Sequence, residues 1–300
     1  MDSVLRGNAL PALAAALLWG GGDFCGGMGV KAAGGGVRAA LRVVLLSHAM
    51  SFLALMAIAR LRGDAFPHGA LLAWGIGAGV AGGLSLTCFY LALSRGGMGS
   101  SAAVSGLLAA AIPATVTLRI DGSPGWLPLV GFAVAGAAIW LIAAAPAGDA
   151  VEGQGGGRRE TTALAVAAGV GFGIYFVALK MAGPAGVVWP MATARMGSLS
   201  VCSLMLAGVS LRGRNAGEMR VVVGRRVVVW AMATALLDTS GNLLYVVATR
   251  AGRLDVAAVL ASLYPASTIL LAALALGERP TLRQAWGMAT AAVAVVLIAM

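Results

Sequence analysis

The sequence predicts an all-α integral membrane protein with about ten transmembrane helices, arranged as two inverted five-helix repeats around a central cavity. Composition, the length of the apolar runs and an internal repeat each point there. Of 300 residues, 60% are hydrophobic and only 11% are charged, whereas a soluble domain carries roughly 25% charged residues. Mean hydropathy is +0.91. A chain with so little charge cannot cover a water-facing surface of its own size, which excludes a soluble enzyme, a disordered chain and a disulfide scaffold. The net charge of +10 does not point to nucleic acid. The basic residues are mostly Arg and punctuate the gaps between apolar runs, as loops facing anionic headgroups do, rather than clustering with base-reading groups.

About 20 mostly apolar residues span a bilayer as a helix. Such runs lie at Ala9–Val30, Ala39–Ala59, Ala70–Leu93, Ser100–Leu118 and Trp126–Ala145 in the first half. The second half has Thr161–Ala182, Val187–Leu211, Val227–Thr249, Asp255–Leu276 and Leu282–Ala299. Helices are required because open strands leave backbone groups unsatisfied in lipid. Between the halves, Pro146–Glu160 is Gly-rich and polar and reads as a flexible tether. The expected division is therefore 1–145, a linker at 146–160, and 161–300. Arg212–Arg226, with five arginines against Glu218, reads as a solvated loop. The first run offers no small-x-small cleavage pattern free of Asp23, so it is retained as a helix rather than a signal peptide. Cys25, Cys88 and Cys202 lie in separate apolar runs without CxxC spacing. They read as packing residues, with no metal site and no cofactor expected.

The halves repeat. From Tyr90, YLALSRGGMGSSAAVSGLL aligns with YVVATRAGRLDVAAVLASL from Tyr245, with roughly seven identities in about nineteen positions. Arg95 meets Arg250, Gly97 meets Gly252, and Gly131 meets Gly287 after a one-residue shift. An odd number of helices per copy turns the second upside down. The resulting pseudo-two-fold axis in the membrane plane lets two equivalent packings exchange the side the cavity faces.

The stretch from Tyr245 and Gly252 through Pro265 to Gly277-Glu278-Arg279-Pro280 and Gly287 resembles the repeat of the EamA family in the drug/metabolite transporter superfamily. Phe172–Lys180, FGIYFVALK, looks like the opening of that repeat. The first copy is a degraded match: Ser123 replaces the Glu of Gly277-Glu278, and Pro113 sits about three places late. The resemblance implies ten helices in inverted five-helix repeats and movement of small metabolites, often export. It also implies a multi-pass protein of the cell's inner (cytoplasmic) membrane.

Ionisable groups within a bundle normally face its interior or a watery cavity. The candidates are Asp23, His48, Lys180, Arg195 and Asp238. Asn242 lies one turn beyond Asp238 and Tyr245 continues that stripe. Asp238, Asn242 and Tyr245 are therefore expected to line a substrate path, with Arg195 as countercharge; a buried Arg195–Asp238 pair that only fixes packing is the structural alternative. Asp23 sits in GGGDFCGGMG. That setting suits either an unwound, substrate-binding helix with a proton-carrying carboxylate or a carboxylate that caps a kink. Asp23 and Asp238 are the candidates for proton coupling. Trp19, Tyr90, Phe172, Tyr175, Phe176 and Tyr264 are expected to supply an aromatic lining. Trp126, Trp189 and Trp286 read as interfacial anchors, and Gly75, Gly79 and Gly83 as a close-packing stripe.

The expected function is thus a secondary transporter moving a small amino-acid-like or amphipathic metabolite, as an exporter, by alternating access. A channel or lipid flippase is the alternative; nothing in the sequence supplies a selectivity loop or ring of charge. A membrane-embedded enzyme is disfavoured because neither HExxH, GxSxG nor an Asp-rich motif occurs. The implied partners are a small-molecule substrate, the lipid bilayer and coupling protons, without nucleic acid; a ten-helix chain can work as a monomer. Lys and Arg favour the odd-numbered connections, which puts both termini outside the cytoplasm, whereas the resemblance implies both inside.

Overall fold

Once apolar runs of this length are committed to helix, packing is decided by where neighbouring backbones can approach. The computed structural model describes residues 5–95, 98–143, 157–213, 224–276 and 281–299. All its regular elements are helical among these residues. Most of the tether, most of the Arg212–Arg226 loop, Gly97 and the Glu278-Arg279-Pro280 turn lie outside the described residues.

The helices are α1 (Leu10–Ala32), α2 (Gly36–Arg62), α3 (Ala70–Ser94), α4 (Met98–Ile120), α5 (Trp126–Ala143), α6 (Arg158–Ala182), α7 (Val188–Gly213), α8 (Arg225–Ala251), α9 (Leu254–Ala261), α10 (Tyr264–Leu276) and α11 (Leu282–Ala299). Among the described residues eight spans are long and apolar enough to cross a membrane, α9 and α10 counting together. The shorter apolar helices α5 and α11 pack on each other. The protein is an all-α membrane protein.

The ninth run departs from the sequence reading. It is expected to form one helix, yet it breaks at Ser262 and Leu263 into α9 and α10. Pro265 explains this: its ring clashes with the carbonyl four residues back, and it restricts the residue before it. Pro113, by contrast, stays inside α4. At the end of α2 the chain turns sharply through Gly63 at φ +67°, whose neighbour Asp64 bonds back to Ala59 O at 3.2 Å. A residue with a Cβ is strained in that left-handed conformation.

Small residues set the helix approaches, as they must where lipid is as apolar as leucine. The Gly75, Gly79 and Gly83 stripe of α3 faces α7. A Cβ on Gly75 would meet the Thr193 side chain, one on Gly79 the Ala194 backbone, and one on Gly83 Ser198. The contacts also come in reciprocal sets. Gly131 of α5 seats Ile298 of α11, while Gly287 of α11 seats Ile142 of α5. Gly20 of α1 rests on Tyr264 and Ser267 of α10, and Gly173 of α6 on Ile112 of α4. Gly22 of α1 backs onto Asp238 of α8, and Gly82 of α3 onto Tyr175 of α6.

Polar ties cross the face that carries the start of α1. Lys180 Nζ donates to Thr249 O, and Arg250 Nη1 donates to Gly183 O, so each helix end is closed by a cation from the other. Arg253 Nη2 donates to Gly122 O at 2.7 Å, and Asn8 Nδ2 donates to Arg253 O at 3.2 Å. Arg253 also pairs with Asp255, and that bond holds its guanidinium above the ordinary arginine range. Trp189 is buried, donating its indole N–H to Asp64 O at 3.1 Å and packing on Phe66. It is a tie rather than the expected lipid anchor, whereas Trp126 and Trp286 are exposed. On the opposite face Arg95 pairs with Glu160 at 2.8 Å, and Arg38 Nη2 donates to Val209 O at 3.0 Å.

Candidate functional site

Helices α1, α2, α3, α6, α7 and α8, with Tyr264 at the start of α10, surround a hollow. The space between their side chains, counted out to its open mouth, is about 510 Å³. Its wall is aromatic on one side and charged on the other.

The charged side is one connected chain of hydrogen bonds. Arg195 Nη2, from α7, donates to Asp238 Oδ2 of α8 and to Thr239 Oγ1 at 3.3 Å. Arg195 Nη1 meets His48 Nε2 of α2 at 2.7 Å, and His48 Nδ1 meets Ser198 Oγ at 2.6 Å. Guanidinium nitrogens only donate, so Nε2 accepts and the ring proton sits on Nδ1, donating to Ser198. Ser198 passes the chain on to Arg195 O at 3.1 Å. Beyond Asp238, Asn242 Nδ2 donates to its Oδ1 at 3.0 Å and to its backbone O at 2.7 Å. Tyr175 OH of α6 donates to Asn242 Oδ1 at 2.5 Å. Four helices are thereby bound through one ion pair.

Asp23 is different. It lines the hollow and is 8% exposed, yet among the described residues no hydrogen bond or ion pair reaches its carboxylate. Its helix does not unwind: α1 runs unbroken through GGGDFCGGMG. The glycines are there for approach instead. Gly22 admits α8, Gly26 admits the Tyr90 ring and Gly29 admits Trp230. The expectation of an unwound, discontinuous first helix is corrected on that ground.

The aromatic side starts from Trp19, stacked on Phe176 with centroids 5.2 Å apart and planes at 8°. Phe172, Tyr175 and Tyr264 complete it. Tyr264 is held by a 2.6 Å hydroxyl contact with Ser105.

Of the residues singled out from sequence, Trp19, Asp23, Tyr175, Arg195, Asp238, Asn242 and Tyr264 sit together on this wall. Tyr90 and Tyr245 do not. Both are completely buried behind it, with hydroxyls that have no partner among the described residues. Tyr245 packs on Trp19 and Phe176 at 5.4 and 4.7 Å, and Tyr90 packs on Phe89 at 6.3 Å. Tyr245 supports the aromatic wall from outside, and the Tyr90 ring sits against Gly26 of α1. Ser198 and the bridging role of His48 were missed. A lone histidine within an apolar run was the available signal, and it carries no direction. No group of three His, Cys, Asp or Glu able to hold a metal occurs among the described residues.

A bundle of apolar helices around a polar, aromatic-walled hollow defines a multi-pass membrane protein with an internal site of small-molecule size. Residues 161–300 match the EamA-like transporter family. The chain is a membrane transporter of the drug/metabolite type. A protein solved by crystallography aligns with 96% of this chain and 95% of its own, at TM-score 0.66 and 17% identity. It shares the fold. No curated protein matches by sequence.

Proposed function

We propose that this transporter moves a small amphipathic metabolite bearing an amino group, by alternating access of two inverted halves, 1–145 and 161–300. One observation carries the reading: an unpaired carboxylate, Asp23, faces a cavity whose only other charges among the described residues, Arg195 and Asp238, already neutralise each other. A buried carboxylate left without a partner is relieved by a proton or by a cation, and the aromatic wall of the same hollow adds attraction for a cation. The apolar remainder of a substrate suits the aromatic wall.

The same carboxylate suits proton coupling, since a proton or a cationic substrate can each neutralise Asp23 and permit the switch between states. Asp238 is the second candidate, because releasing Arg195 to a substrate carboxylate would leave it free to take a proton. The reciprocal glycine contacts support a pseudo-two-fold relation between the halves. Export across a cell's inner membrane is the direction and place that the family resemblance supports.

Purified protein in liposomes tests this against a panel of amino acids and amphipathic amines under an imposed pH gradient. D23N and D238N are expected to abolish gradient-driven uptake while leaving exchange intact, and R195A to impair carboxylate-bearing substrates. Unchanged gradient-driven transport in both Asp variants would discard proton coupling through these groups.

A further inference from the structure

Where α1 ends and α8 begins, three cations from two helices meet over an apolar trough. Lys31 lies in the last turn of α1, and Arg225 and Arg226 lie in the first turn of α8; Met28, Val229 and Trp230 form the trough between them. All three cations are exposed, and none has a hydrogen-bond or ion-pair partner among the described residues. Among the described residues no acid lines the trough. Helix α8 also opens from Gly224 without a side-chain cap, leaving its first N–H groups on the same side as the arginines.

The apolar part is shaped rather than incidental. Gly29 brings α1 close enough that a Cβ there would sit 3.3 Å from Trp230 Cβ. Phe24 meets the Trp230 ring edge-on at 6.2 Å. Trp230 is consequently fixed half-buried beside the exposed Val229, one turn into the span from Arg226, and an amphipathic indole favours the end of a span. The trough is open to the outside of the bundle, with the cations at one end and Met28, Val229 and Trp230 one turn further along the two helices.

We propose that this trough binds an anionic phospholipid, with the headgroup phosphate on Lys31, Arg225 and Arg226 and an acyl chain along Met28, Val229 and Trp230. A free inorganic anion would be served by the cations alone. The continuous apolar wall beneath them fits a ligand that is anionic at one end and hydrocarbon at the other. The site lies outside the transport cavity and is independent of what that cavity carries.

Native mass spectrometry of the full chain in detergent, titrated with phosphatidylglycerol, phosphatidylcholine or inorganic phosphate, tests it. Phosphatidylglycerol is expected to bind about tenfold or more tightly than phosphatidylcholine. The K31Q/R225Q/R226Q variant should lose that preference, and the charge-keeping K31R/R225K/R226K should retain it. Brominated phosphatidylglycerol should quench a fluorescence component present in the parent protein and absent from W230F. Equal binding of the two lipids, a preference that survives in the Gln variant, or displacement of phosphatidylglycerol by millimolar inorganic phosphate would each overturn the proposal.

Discussion

Replacing Asp238 with Asn keeps the side chain's shape and removes its charge, which isolates the ion pair at the centre of the cavity wall. The Arg195 side chain is 4% exposed. Its remaining partners, His48 Nε2 and Thr239 Oγ1, are neutral acceptors. The guanidinium would then be buried with no counter-ion bonded to it. Removing one partner of a buried pair costs about 3–5 kcal/mol, far above the roughly 0.6 kcal/mol of an average interhelical hydrogen bond in a membrane protein. R195Q should cost a similar amount from the other side, because Asp238 would keep only the Asn242 amide. The R195Q/D238N double variant places two neutral amides in contact and should be destabilised by less than either single variant, giving a coupling of about 2 kcal/mol or more. The assay is equilibrium unfolding in bicelles, followed by tryptophan fluorescence and repeated for all four corners of the cycle. If D238N and R195Q each stay within about 0.5 kcal/mol of the parent, or if their losses simply add, the pair is not an isolated buried charge pair and the reasoning fails.

The hydroxyls of Tyr90 and Tyr245 are buried without partners among the described residues, so Y90F and Y245F should be neutral or stabilising by about 1 kcal/mol; a many-fold loss of transport with unchanged KM would contradict their place behind the wall. At Gly79 an added methyl meets the Ala194 backbone, so G79A should force α3 and α7 apart and lower stability by about 2 kcal/mol or more, read as a fall in melting temperature; an unchanged melting temperature would refute the close approach. The K180M/R250M variant removes both cations that close opposing helix ends. Hydrogen exchange at residues 183–186 and 249–252 should accelerate several-fold, while exchange in α5 and α11 stays as it was; uniform exchange across the chain would argue against a localised latch.

The membrane class, the apolar spans and the second-half family motif were legible because they are local properties. A run of about 20 apolar residues needs no tertiary context to require a helix in lipid. The Arg195–Asp238 partnership was legible for a related reason, since rare charges in apolar helices must find one another, and Asn242 followed from helical spacing alone. Pro265 breaking the ninth run, while Pro113 leaves α4 whole, was not legible: whether neighbouring groups can re-satisfy a freed carbonyl depends on what packs there. Nor were the inward faces. In a soluble helix the polar stripe marks the outside, but lipid and protein interior are equally apolar, so the side chains of a span carry little record of which way they point. Only the assembled helices could place His48 between Arg195 and Ser198, put Tyr90 and Tyr245 behind the wall rather than on it, bury Trp189, and leave Asp23 facing the hollow alone.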